Sequence, residues 1–88
     1  MDAINAYEKV LARAPQYARA HHNLGNAYVL LNDAPRAVAS FERAVGADSS
    51  YAAPRQMLAQ LYRRAGRLQE ADAQQAAYKY LSDLGPRP

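Results

Sequence analysis

The same residue classes return every thirty-four positions along this chain. Ala3, Ala37 and Ala71 form one series at that interval, and Val10, Ala44 and Tyr78 form another. Tyr7 pairs with Phe41, Tyr17 with Tyr51, Leu24 with Leu58 and Tyr28 with Tyr62 at the same offset. A small residue follows the leucine both times, Gly25 in one period and Ala59 in the next. A period of this length marks a unit too small to bury its own apolar face. Such units become stable only when each stacks on its neighbour.

Each period reads as two helices joined by a tight turn. Residues 17–31 place apolar side chains at 20, 24, 27, 28 and 31, the spacing of one helical stripe. Asn32-Asp33-Ala34-Pro35 stops that helix and starts another: Asp33 can cap, and a proline in the first turn lacks only a donor that would be orphaned anyway. Residues 34–47 repeat the stripe at 37, 38, 41, 44 and 45. Asp48-Ser49-Ser50 is a break in which the serines are expected to cap, and Pro54 falls in the first turn of the next helix. Residues 51–65 and 68–84 form the second hairpin, with Gly66 at its turn. A first helix spans residues 2–14 and is closed by Pro15. The tail, residues 85–88, reads Gly-Pro-Arg-Pro, a helix stop with no packing signal. The expectation is one all-α domain over residues 1–88 with five helices. Residues 1–15 supply the second helix of a partial repeat, and residues 17–48 and 51–84 are full repeats.

Half of the 88 residues are apolar, but alanine supplies much of that share, so the core is thin. No cysteine is present, which excludes disulfides and thiolate metal sites. No apolar run approaches the roughly 20 residues of a membrane span, and no basic leader opens the chain, so neither a membrane segment nor a signal peptide is expected. The compartment stays open between cytoplasm and periplasm. The net charge of +3 is spread as alternating signs along the helices, which reads as a solvated surface rather than a nucleic-acid face.

The residues Leu24, Gly25, Tyr28, Ala37, Phe41 and Ala44 resemble the tetratricopeptide repeat signature. Leu58, Ala59, Tyr62 and Ala71 repeat most of it, and Ala3, Tyr7, Val10 and Pro15 match its second half. The resemblance covers nearly the whole chain and implies a right-handed superhelical stack of antiparallel helix hairpins. Its small residues let backbones approach, and its large ones fill the gaps between hairpins. Three features depart from the pattern: His21 stands where the family often has tryptophan, Gln75 where it wants a large aromatic, and Ser49 and Asp83 where it has proline. The last hairpin is therefore expected to pack less well.

No catalytic arrangement is visible. His21 and His22 are adjacent, so on a helix they point about 100° apart and cannot easily grip one metal ion. No serine has a histidine at a motif spacing, and there is no glycine-rich phosphate loop. No enzyme activity, cofactor or metal is expected.

By resemblance, the first helix of each hairpin lines a concave groove. The groove positions are Arg19, His22, Asn26, Val29 and Leu30 from one repeat, and Gln56, Gln60, Arg63 and Arg64 from the next. They make a polar, mildly basic strip beside an apolar ledge, suited to an extended or helical peptide of acidic character. The lysine–asparagine carboxylate clamp of some family members is not matched, because His22 takes the lysine position. The ends offer a second surface. Ile4, Tyr7 and Leu11 on the first helix, and Tyr78, Tyr80, Leu81 and Leu84 on the last, have no repeat beyond them and suit association with another copy. The leading expectation is a protein-interaction scaffold, part of a larger protein, with the alanine and arginine content pointing to a bacterial source. Structural self-association is the alternative, and nucleic-acid binding is not indicated.

Overall fold

The computed structural model describes residues 3–84. The helix start expected at residue 2 and the tail at residues 85–88 lie outside the described residues. Five helices follow one another: α1 (Ala3–Arg13), α2 (Ala18–Leu30), α3 (Ala34–Ala47), α4 (Ala53–Arg64) and α5 (Leu68–Leu84). Among the described residues none is in a strand. The pairs α2–α3 and α4–α5 are the most extensive contacts, with α1 against α2 and α3 against α4 joining them into a stack. The Cα trace measures 38 × 36 × 17 Å. A helix with side chains is about 10 Å across, so the shortest dimension holds no more than two layers.

The turns within the two hairpins use the same chemistry. Asn32 and Gly66 have φ of 60° and 79°, the left-handed conformation that ends a helix. The Asp33 amide then donates to the Tyr28 carbonyl (2.9 Å) and the Arg67 amide to the Tyr62 carbonyl (2.8 Å). Asn32 and Gly66 themselves donate to Val29 and Arg63, at 2.9 and 3.1 Å. This reciprocal pair of bonds satisfies carbonyls that the helix end would otherwise orphan.

The helix starts differ. Asp33 caps α3 as the sequence implies, accepting the Arg36 amide at 3.3 Å, with Pro35 in the first turn. The capping expected from Ser49 and Ser50 is not what forms. The Ser50 amide and hydroxyl both donate to Oδ1 of Asp48, at 3.0 and 2.6 Å. Asp48 thus captures Ser50 in a local turn, the competition that short polar side chains offer to helix caps. The Ser49 carbonyl accepts from Arg55 Nη2 at 3.0 Å. Helix α4 consequently starts at Ala53, two residues later than the stripe suggested, with Ala52 as an N-cap that makes no side-chain bond.

The core centres on Ala37, Phe41, Leu58, Leu61, Tyr62 and Ala71, with Tyr28, Val29, Val38, Val45 and Met57 packed around it. Phe41 is fully buried. Its ring rests on Gly25: a Cβ there would stand 2.6 Å from a ring carbon, so only glycine lets α2 and α3 approach this closely.

Candidate interaction surfaces

The strip inferred from the first helices of the hairpins is carried by α2 and α4. Arg19, Leu30, Gln56, Gln60 and Arg63 are exposed, and His22, Asn26 and Val29 are half-buried. Leu30 is the most open of the exposed large apolar residues at 86%, with Leu31 beside it at 64%. Gln60, Arg63 and Arg64 border a shallow hollow of about 390 Å³. A second hollow of about 270 Å³ joins the two helices, lined by Val29 of α2 and Leu61 and Arg64 of α4 with the 32–34 turn. Arg63 reaches Asp72 only at 3.4 Å and in solvent, a weak tie that leaves its guanidinium accessible.

His22 is held at the junction of the two hairpins. Its Nδ1 lies 2.9 Å from the Tyr51 hydroxyl, and its ring meets Tyr51 edge-on and Phe41 at a tilt. Burial, and secondarily the neighbouring Arg19 charge, hold its pKa below the ordinary histidine value. The imidazole is therefore neutral near pH 7 and makes a hydrogen bond and ring contacts rather than a salt bridge. Sequence reasoning missed this pairing because positions 22 and 51 are not equivalent in the repeat.

A second polar cluster joins α3, α4 and the start of α5. The Tyr62 hydroxyl donates to Glu42 across the hairpin boundary. Burial first, then this carboxylate, push the Tyr62 pKa up, so the phenol remains a donor across the ordinary pH range. The Arg67 guanidinium stacks 4.3 Å from the centre of the Tyr62 ring and bonds Glu70 through Nε and Nη2 at 2.7 and 2.6 Å. Arg55 adds one more tie, donating to Gln74 of α5 at 3.2 Å.

One large cleft was not anticipated from the sequence. It is an open cleft of about 1040 Å³ with Glu8 and Leu11 on α1, His21 and Leu24 on α2, and Ala39 and Arg43 on α3. His21 is buried and its Nε2 donates to the Pro15 carbonyl at 2.8 Å, while Nδ1 is buried without a partner. The signal that could have found this cleft was His21 itself, a small ring at a position where the family often carries a large one.

The terminal positions are only partly covered. Ile4, Tyr7, Leu11, Tyr78 and Leu81 are half-buried, whereas Tyr80 and Leu84 are 66% and 42% exposed. Among the described residues, no group of three or more His, Asp or Glu side chains could hold a metal ion, and no helix is long and apolar enough to cross a membrane.

Comparison with known proteins agrees with this architecture. The tetratricopeptide repeat family model matches residues 1–52. No curated protein matches significantly. Among solved structures, the crystal structure of MamA superimposes with a TM-score of 0.85 at 20% identity, over 91% of this chain and 47% of that one. The MamA RS-1 ArsTM double mutant gives 0.87 at 24% identity, over 97% and 48%. The chain thus spans about half the length of these structures, and at such identity they speak for the fold alone. The thirty-four-residue period, the paired antiparallel helices and the family match over more than half the residues lead to one conclusion: this chain belongs to the tetratricopeptide repeat family.

Proposed function

We propose that the chain is a non-enzymatic protein-interaction module that holds an acidic, partly apolar peptide along the α2–α4 strip. Repeats of this family serve as interaction scaffolds, and the finer assignment to this strip is our own. The observation that carries it is Leu30, left 86% in water beside Leu31 in a molecule whose core is otherwise small and well covered. Exposed apolar side chains grouped with accessible cations are the composition of a protein-binding surface. Arg19, Arg63 and Arg64 give the strip its sign, and Asn26, Gln56 and Gln60 offer amide donors and acceptors for a peptide backbone. His22 contributes by fixing the angle between hairpins through Tyr51.

Fluorescence anisotropy with acidic peptides that carry leucine or phenylalanine tests this reading. Leu30→Glu and Arg64→Glu should each weaken binding roughly tenfold or more, about 1.4 kcal/mol. Asn26→Ala should weaken it less. Equal binding by Leu30→Glu and the unmodified chain would end the proposal.

The exposure of Tyr80 and Leu84 on α5 favours a second reading, self-association through the terminal helices. Ile4, Tyr7 and Leu11 at one end and Tyr78, Leu81 and Leu84 at the other would supply the apolar contact. Sedimentation that remains strictly monomeric at high concentration would exclude it, and Tyr7→Glu or Leu81→Glu should abolish any assembly it describes.

A further inference from the structure

We propose that the α1–α3 cleft is the seat for the exposed face of α5 from a second copy of this chain. The proposal rests on the self-association reading but moves one half of the contact from an end of the stack to its side.

The cleft has three properties that specify an occupant. Its floor is apolar, formed by Leu11, Leu24 and Ala39 with the buried His21 ring. Beneath that floor Nδ1 of His21 is buried and has no hydrogen-bond partner in the fold. Its walls carry opposite charges, Glu8 on α1 and Arg43 on α3, and neither is in an ion pair among the described residues. Arg36, also on the rim, is already bound to Asp33. A fitting partner therefore presents an aromatic ring with a donor at its tip, flanked by one cation and one anion.

Helix α5 presents that set. Lys79, Tyr80, Asp83 and Leu84 fall within an arc of about 140° on a helix of 3.6 residues per turn. All four are exposed, and the half-buried Ala77, Tyr78 and Leu81 point elsewhere around the helix. Tyr80 supplies the ring and the hydroxyl. Lys79 and Asp83, one turn apart and free of ion pairs among the described residues, match Glu8 and Arg43 in sign. The two surfaces lie on different parts of the molecule, so the contact is heterologous and generates open chains or rings rather than a closed pair.

Sedimentation velocity over a concentration series provides the test. The unmodified chain should assemble progressively beyond a dimer, and Tyr80→Glu should raise the association midpoint roughly tenfold or more. Arg43→Glu should do the same, with assembly restored when Asp83→Arg is added to it. His21→Trp, which fills the cleft and keeps an N–H donor, should fold normally by circular dichroism yet assemble poorly. Because the chain has no cysteine, mixing Arg43→Cys with Asp83→Cys under mild oxidation should trap the mixed dimer in preference to either like pair. Assembly that survives Tyr80→Glu and His21→Trp but is lost in Tyr7→Glu would overturn this contact and leave the terminal-helix reading standing. A strict monomer throughout would overturn both.

Discussion

In the first full hairpin the ring of Phe41 lies fully buried against the bare backbone of Gly25, whereas the equivalent positions in the second are Gln75 and Ala59. Gln75 is exposed. Helix α3 buries Ala37, Ser40, Phe41 and Ala44, while α5 buries only Ala71. The two pairs are complementary in a chemical sense. A glycine is required where a ring must sit, and an alanine is tolerated where no ring arrives. In the second hairpin α5 relies more on polar ties, from Arg55 to Gln74 and from Arg63 to Asp72, which contribute less than a filled socket. The same repeat can thus be closed by packing or by looser polar contacts, and the pair of residues at its centre decides which.

Several substitutions break or sharpen this contrast. Phe41→Ala should have the largest effect, about 3–5 kcal/mol lost in denaturant unfolding, because it empties the centre of the core. Gln75→Ala, its counterpart, should fall within about 0.5 kcal/mol of the unmodified chain. Gly25→Ala should cost about 1–3 kcal/mol, since the added methyl meets the Phe41 ring at 2.6 Å. Its penalty should shrink in a Phe41→Leu background, and an additive double mutant would disprove the contact as the cause. Asp33→Ala should cost about 1 kcal/mol through loss of the α3 cap, measured by thermal melting. Ser50→Ala should not weaken α4 in that way, because Ser50 bonds Asp48 and not the helix start.

The smallest expected effect is on pH dependence. His22 has its pKa depressed in the folded chain, so the unfolded state takes up a proton first as pH falls. The stability this contributes is present above the ordinary histidine value of about 6.5 and is lost as pH drops below it toward the lower folded value. Thermal melts between pH 7.5 and 5 should show that decline, and His22→Gln should flatten it. An unchanged slope in His22→Gln would assign the effect elsewhere.

Much of this fold was legible before any coordinates. The alternation of small and large residues at a fixed period marked the hairpins, because close helix approach needs both in register. Asn32, Asp33, Pro35 and Gly66 marked the turns, because left-handed backbone and a missing amide suit few residues. The start of α4 was less legible, since Asp48 and the two serines can satisfy one another as readily as they can cap a helix. Of the candidate surfaces, Leu30 and the arginines were visible as groove positions, whereas Leu31, read as part of the apolar stripe of α2, lies just past the helix end and is 64% exposed. The His22–Tyr51 junction and the cleft beside His21 were not visible. Periodicity reports where side chains must meet, and carries no information on contacts between unlike positions or on the gaps left between helices.

The 17 Å thickness of the molecule bears on how it breathes. With only two layers of helix, no backbone amide is far from solvent, and protection from hydrogen exchange must come from neighbouring helices. Helices α2, α3 and α4, each packed between two neighbours, should keep their amide protons longest, while α1 and α5, each with one principal neighbour, lend theirs to water in brief local openings. A partner that grips the outer helices would find them already loosened, and its arrival would register as slower exchange at both ends of the stack.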